Sequence, residues 1–157
     1  MVSVKELLKY NEEVRHQYFK TLSRLSWDEL IQNREASFES LRKIFIHTIG
    51  CADYWLDFLL NEHRRTQGKY DDYVSIKQIR VYMEHVEARM KVYLDSLLPS
   101  DLEKKYIREI SQGHSIEVTA EDVLIHLFEE EVHHRGELIA LLWQMGVEPP
   151  PMGWKGL

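Results

Sequence analysis

The chain has 157 residues, 44% of them hydrophobic and 29% charged, with a formal net charge of -6. That length gives one domain with a sizeable core and is short for two, and the composition is that of a folded chain and not a disordered one. An acidic surface with no basic stripe beyond the Arg64-Arg65 pair argues against nucleic acid or an anionic membrane as partner.

The first ten residues carry Lys5, Glu6 and Lys9 and lack the apolar stretch of a signal peptide. No apolar run in the chain approaches the roughly 20 residues needed to cross a bilayer. Ser3 with Glu6 forms a capping box, and Leu7, Asn11, Val14, Tyr18, Leu22 and Leu25 recur at three- and four-residue steps, so a first helix is expected from about Val4 to Leu25. Ser26-Trp27-Asp28-Glu29 caps a short helical turn. A second long helix is expected over about 39–63, with Leu41, Ile44, Thr48, Cys51, Trp55 and Leu59 on its apolar side, and Gln67-Gly68 breaks the pattern beyond it. Cys51 reads as a small buried hydrophobe, and as the single cysteine it fits a reducing compartment, so a cytoplasmic location is expected.

Ser75 with Gln78 starts a third helix that stops before Pro99 and whose apolar set is Ile79, Tyr82, Met83, Val86, Met90, Tyr93 and Leu97. Residues 106–119 alternate weakly around Gln112-Gly113 and read as a loop or a short hairpin. Thr119 with Asp122 caps the fourth long helix, which runs to Met145 and ends at Gly146. The tail with Pro149, Pro150 and Pro151 is not helical, and Met152 and Trp154 are expected to pack it across the helices. Four amphipathic helices with almost no strand signal predict an all-α four-helix bundle as one domain over 1–157.

The fourth helix interrupts its own apolar stripe. At about 100° per residue, Val123, Leu127, His134, Leu138, Leu141 and Met145 share one face, which puts His134 inside the core-facing stripe. Glu130 lies one turn earlier and about 40° away, and Glu131 borders the other side. A carboxylate facing the core needs a compensating partner. Glu130 and His134, four residues apart, can converge on one metal ion, with His47 of the second helix as third ligand; a buried ion pair with Arg135 or with the first helix is the competing arrangement. Two imidazoles and a carboxylate suit zinc with an open fourth position, or iron, nickel or manganese. His126 and His133 lie on the flank as surface residues, alternative ligands or groups that orient the site. His16, His63, His85 and His114 read as surface residues.

The run His133-His134-Arg135-Gly136-Glu137-Leu138, followed by Leu142-Trp143-Gln144-Met145-Gly146, resembles the C-terminal signature of the DinB family (DinB/YfiT-like metalloenzymes), and Leu41 to Trp55, with His47, Ala52 and Trp55, resembles that family's second helix. The resemblance implies an up-down-down-up four-helix bundle, often dimeric, that binds a divalent ion through three histidines. By position the ligands are His47, Glu130 and His134, with Glu130 standing where the pattern has a histidine; His126 or Glu131 are the substitutes if Glu130 does not bind. The resemblance further implies a metal-dependent enzyme acting on a small-molecule substrate, either an S-transferase using a low-molecular-weight thiol or a hydrolase, working as a homodimer. His133 or Glu131 is the candidate general base. The alternatives are a non-catalytic metal-binding or stress-response protein and a dimeric module with a degenerate site.

Overall fold

A computed structural model of the chain describes residues 2–154, so the expected span of 1–157 reaches past the described residues at both ends. Within them are five α-helices and one hairpin: α1 (Val4–Leu22), α2 (Trp27–Ile31), α3 (Leu41–Leu60), α4 (Ile76–Ser96), β1 (Lys105–Ser111), β2 (His114–Thr119) and α5 (Ala120–Gln144). Single 3-10 turns lie at Tyr70–Asp72 and Pro99–Glu103. Three helices start at full capping boxes, Ser3 with Glu6, Ser26 with Glu29 and Thr119 with Asp122, which satisfy otherwise orphaned amides at each N-terminus. At α4 the Ser75 side chain accepts from the Gln78 amide, but Gln78 Oε1 reaches back one residue further, to the Val74 amide.

The expected all-α four-helix bundle is corrected on two counts. The short turn after Ser26 is a fifth helix, and residues 105–119 form a two-stranded antiparallel sheet, paired from Lys105↔Thr119 to Ser111↔His114 with an irregularity between Glu109 and Ser111. Of the two readings of 106–119, a loop or a short hairpin, the hairpin is the one that forms, and its strand signal is weak because the strands bury little. In β1 only Tyr106 and Arg108 are half-buried, and Ile107 and Ile110 face solvent, so apolar residues do not mark one covered face. Gly113, at φ 76°, makes the turn. The tail is also corrected: Met152 is 71% exposed and does not pack, although the Trp154 ring lies edge-on to Tyr10 at 5.1 Å.

Helix α3 is the centre of the core. It packs against α5, α4 and α2, while α5 also packs on α1. Leu41, Ile44, Ile46 and Leu56 are fully covered, each burial contributing about 1.5–3 kcal/mol. The helix stops at Leu60, short of the expected His63, because Asn61 turns left-handed (φ 52°) and Glu62 donates back to the Asp57 carbonyl.

The segment after α3 is then held down by two carboxylates one turn apart on that helix. Asp57 Oδ2 accepts from the Arg64 and Arg65 amides, and Asp53 Oδ2 from those of Thr66 and Gln67. Arg89 of α4 bridges both aspartates at 2.7 and 2.5 Å. The Gln67 side-chain amide lies over Gly50, in the space a Cβ there would take. This segment delivers Tyr70 to the centre described next.

Candidate metal centre

Helices α3 and α5 run antiparallel, which is legible in their facing pairs. The His47 ring meets the His134 ring at 4.6 Å, Cys51 Sγ meets Glu130 Oε2 at 3.6 Å, and the Trp55 ring meets the His126 ring at 5.2 Å. Each step of four residues along α3 is matched by four back along α5, the spacing that repeats one helix face. The register brings His47, Glu130 and His134 together, with one donor atom of each within 4.8 Å of the others.

Glu130 Oε2 stands 3.5 Å from His134 Nε2 and 3.8 Å from His47 Nε2. Both separations are too long for good hydrogen bonds. They are close to the roughly 3.3–3.5 Å between neighbouring N and O donors around a tetrahedral zinc, given bonds of about 2.0–2.2 Å. The donor set therefore fits a divalent ion.

The surroundings aim the donors. His134 Nδ1 lies 2.6 Å from Glu137 Oε2, which places the Nδ1 proton against a carboxylate and leaves Nε2 as the lone-pair donor facing Glu130. Burial works to raise the Glu137 pKa, but the Ser37 hydroxyl and the His134 ring overcome it and hold the carboxyl below its usual range. Tyr70 Oη lies 3.4 Å from His47 Nδ1, giving that ring's far nitrogen a polar partner too. Phe38 stacks on His47 at 3.9 Å and meets His134 edge-on at 5.4 Å, an apolar cover over both rings. Burial, and next the neighbouring His134, lower the His47 pKa, which favours the neutral imidazole that a metal requires.

His134 is 5% exposed, as its place in the apolar stripe predicts, and Glu130 is half-buried beside it. Neither takes the competing ion pair. Arg135 donates to Asn11 Oδ1 at 2.7 Å, and Asn11 Nδ2 donates to the Phe128 carbonyl at 3.3 Å. The arginine from the first helix, Arg15, instead grips Glu131 with two donors, Nε at 3.0 Å and Nη2 at 2.5 Å, and reaches Glu87 with Nη1. Glu131 is thereby turned toward α1 with both oxygens committed, so the structure does not bring it to the centre as a base or a substitute ligand. His133 is exposed, with its ring 4.9 Å from that of His134. His126 Nε2 lies 3.8 Å from Glu130 Oε1, at the edge of the group.

Two participants, Glu137 and Tyr70, carry no role in the sequence reading, and a third, Cys51, is read there as a small buried hydrophobe. Glu137 sits one turn past His134, inside the motif quoted for the resemblance, and its i, i+3 spacing is the signal that marks it. Cys51 follows His47 at the same four-residue step that pairs Glu130 with His134, and it is half-buried against the donors, not sealed in the core. Tyr70 comes from an irregular segment, and no periodicity announces it.

The sequence profile of the DinB family matches residues 1–155. A protein of Bacillus subtilis described as the uncharacterized protein YizA is 23% identical over 150 residues, covering 92% of this chain and 89% of that protein. Among solved structures, a DinB-like protein from Bacillus cereus superposes with a TM-score of 0.69 at 20% identity, covering 95% of this chain and 97% of its own. A DinB-like protein of Bacillus subtilis, YjoA, gives 0.66 at 16% identity over 94% and 96%. At these identities the two structures establish a shared fold.

Proposed function

The chain belongs to the DinB family, and from that premise we propose that it binds one divalent metal ion through His47, Glu130 and His134 and uses it in chemistry on small molecules. The observation that carries this reading is the convergence of the three donor atoms within 4.8 Å on two facing helices. A divalent cation held there supplies Lewis acidity, favouring thiolate over thiol, or hydroxide over water, at neutral pH.

The protein's own residues do the rest. Glu137 and Tyr70 fix the two rings, Phe38 excludes water from one side, and exposed His133 is the group placed to take a proton from an incoming low-molecular-weight thiol or water. The reaction class is thiol S-transfer to an electrophile, or hydrolysis, in a cytoplasmic homodimer. No helix among the described residues is long and apolar enough to cross a membrane.

Elemental analysis of the purified protein tests the first step. Near-stoichiometric zinc, nickel, iron or manganese is expected, and it should disappear in His47→Ala and His134→Ala. Protein that stays metal-free after incubation with each ion would end the proposal. Thiol consumption with a simple electrophile, abolished by a chelator, then tests the chemistry. Chelation that lowers the melting temperature while no such reaction is found would leave a non-catalytic metal-binding protein.

A further inference from the structure

Beside the three donors lies the Cys51 thiol, half-buried and packed against the edge of the core. Cys51 Sγ is 3.4 Å from His47 Nε2 and donates to Glu130 Oε2 at 3.6 Å. Both are ordinary lengths for the weak hydrogen bonds that a thiol makes. They match the roughly 3.5 Å that separates a sulfur from a nitrogen or oxygen donor around one tetrahedral zinc, given a bond to sulfur of about 2.3 Å. The placement follows from the helix register, because stepping one turn from His47 along α3 arrives opposite Glu130, the carboxylate that both His47 and His134 approach. A second, independent feature points into the same space: His134, 5% exposed, turns Nε2 inward while its other nitrogen is held by Glu137. Cys51 Sγ thus faces one imidazole nitrogen and one carboxylate oxygen of the donor group.

We propose that Cys51 is a fourth protein donor to the ion held by His47, Glu130 and His134, so that the resting site is closed by the chain's own thiolate. This rests on the metal-binding reading above and extends it. On binding, the sulfur–metal bond forms as the S–H bond breaks, and the proton now directed at Glu130 leaves to solvent. A set of two nitrogens, one oxygen and one sulfur favours zinc and cobalt(II) over manganese, which prefers oxygen ligands. An external thiol then enters either as a fifth ligand or by displacing Cys51, and removing Cys51 opens that position.

Cobalt(II) added to the full chain reads this directly, since thiolate ligation produces an intense near-ultraviolet charge-transfer band that imidazole and carboxylate do not. The band is expected in the wild type and absent in Cys51→Ser and Cys51→Ala, with cobalt still bound. Zinc affinity in chelator competition should fall on the order of tenfold or more, since even groups one layer outside the ligands carry that much. Zinc should also protect Cys51 of the wild type from alkylation, a measurement that holds even if the variants fold poorly. If wild-type protein binds cobalt through His134, as its loss in His134→Ala would show, yet has no such band and no zinc protection, the thiolate donor is overturned and the three-residue site stands. If neither cobalt nor zinc binds, both readings fall together.

Discussion

At the scale of single residues, the centre depends on which ring nitrogen carries the proton. Glu137 sets this for His134 by holding Nδ1 at 2.6 Å, and Tyr70 does the same more loosely for His47 at 3.4 Å. Replacing Glu137 with glutamine keeps the size of the side chain but removes its charge, and an amide can present either a donor or an acceptor to Nδ1. Glu137→Gln is expected to weaken zinc binding by about 10–100-fold, the usual effect of changing a carboxylate behind a ligating histidine, with little change in melting temperature of the metal-free protein. Competition titration with a fluorescent chelator measures it. An unchanged affinity would mean that the ring is aimed by Phe38 and its packing alone. The two proposed ligands on α5 were legible from spacing, because a histidine inside an apolar stripe with a carboxylate one turn earlier is visible in one dimension. Tyr70 was not, since its approach depends on how an irregular segment folds back.

At the scale of elements, the segment after α3 is secured by charge and not by apolar contact. Asp53 is fully buried and Arg89 half-buried, and their pairing also involves the Tyr82 hydroxyl, which donates to Asp53 at 3.1 Å. Arg89→Met leaves a buried carboxylate without its counter-ion and is expected to cost about 3–5 kcal/mol, read by urea unfolding. The pH dependence has a definite sign. Burial works to raise the Asp57 pKa, but Arg89 and the Arg65 and Arg64 amides overcome it, so the folded value lies below the ordinary 3.8. The stability Asp57 contributes is complete above 3.8 and is lost as pH falls through the folded value, so the gap between wild type and Arg89→Met should narrow there. A gap that stays constant would assign the loss to the packing of the Arg89 side chain and not to its charge. The helix starts were readable because each capping box is a local four-residue pattern. The hairpin was legible only as one of two readings of 106–119, a loop or a short hairpin, because its isoleucines face water and leave no apolar face to mark the strands.

At the scale of the whole molecule, α5 presents two different faces. One carries Glu130 and His134 inward. The other leaves Ile125, Val132 and Trp143 exposed by 47%, 44% and 59%, and their spacing of 7 and 18 residues places them on one line along the helix. Gly136 lies on the same line and has no neighbour within 4 Å of where a Cβ would stand, so another helix can approach closely there. If the protein is a homodimer, this is the face on which two copies meet, and Trp143→Glu should shift it to a monomer in sedimentation velocity while leaving its metal content unchanged. A wild-type protein that sediments as a monomer at high concentration would refute this. The loop pinned by Asp53, Asp57 and Arg89 also ends at the tyrosine that touches His47, so the far side of the molecule is mechanically tied to one imidazole. A change in α4 that loosens Arg89 is then expected to free the tyrosine behind one imidazole as well as to weaken the fold.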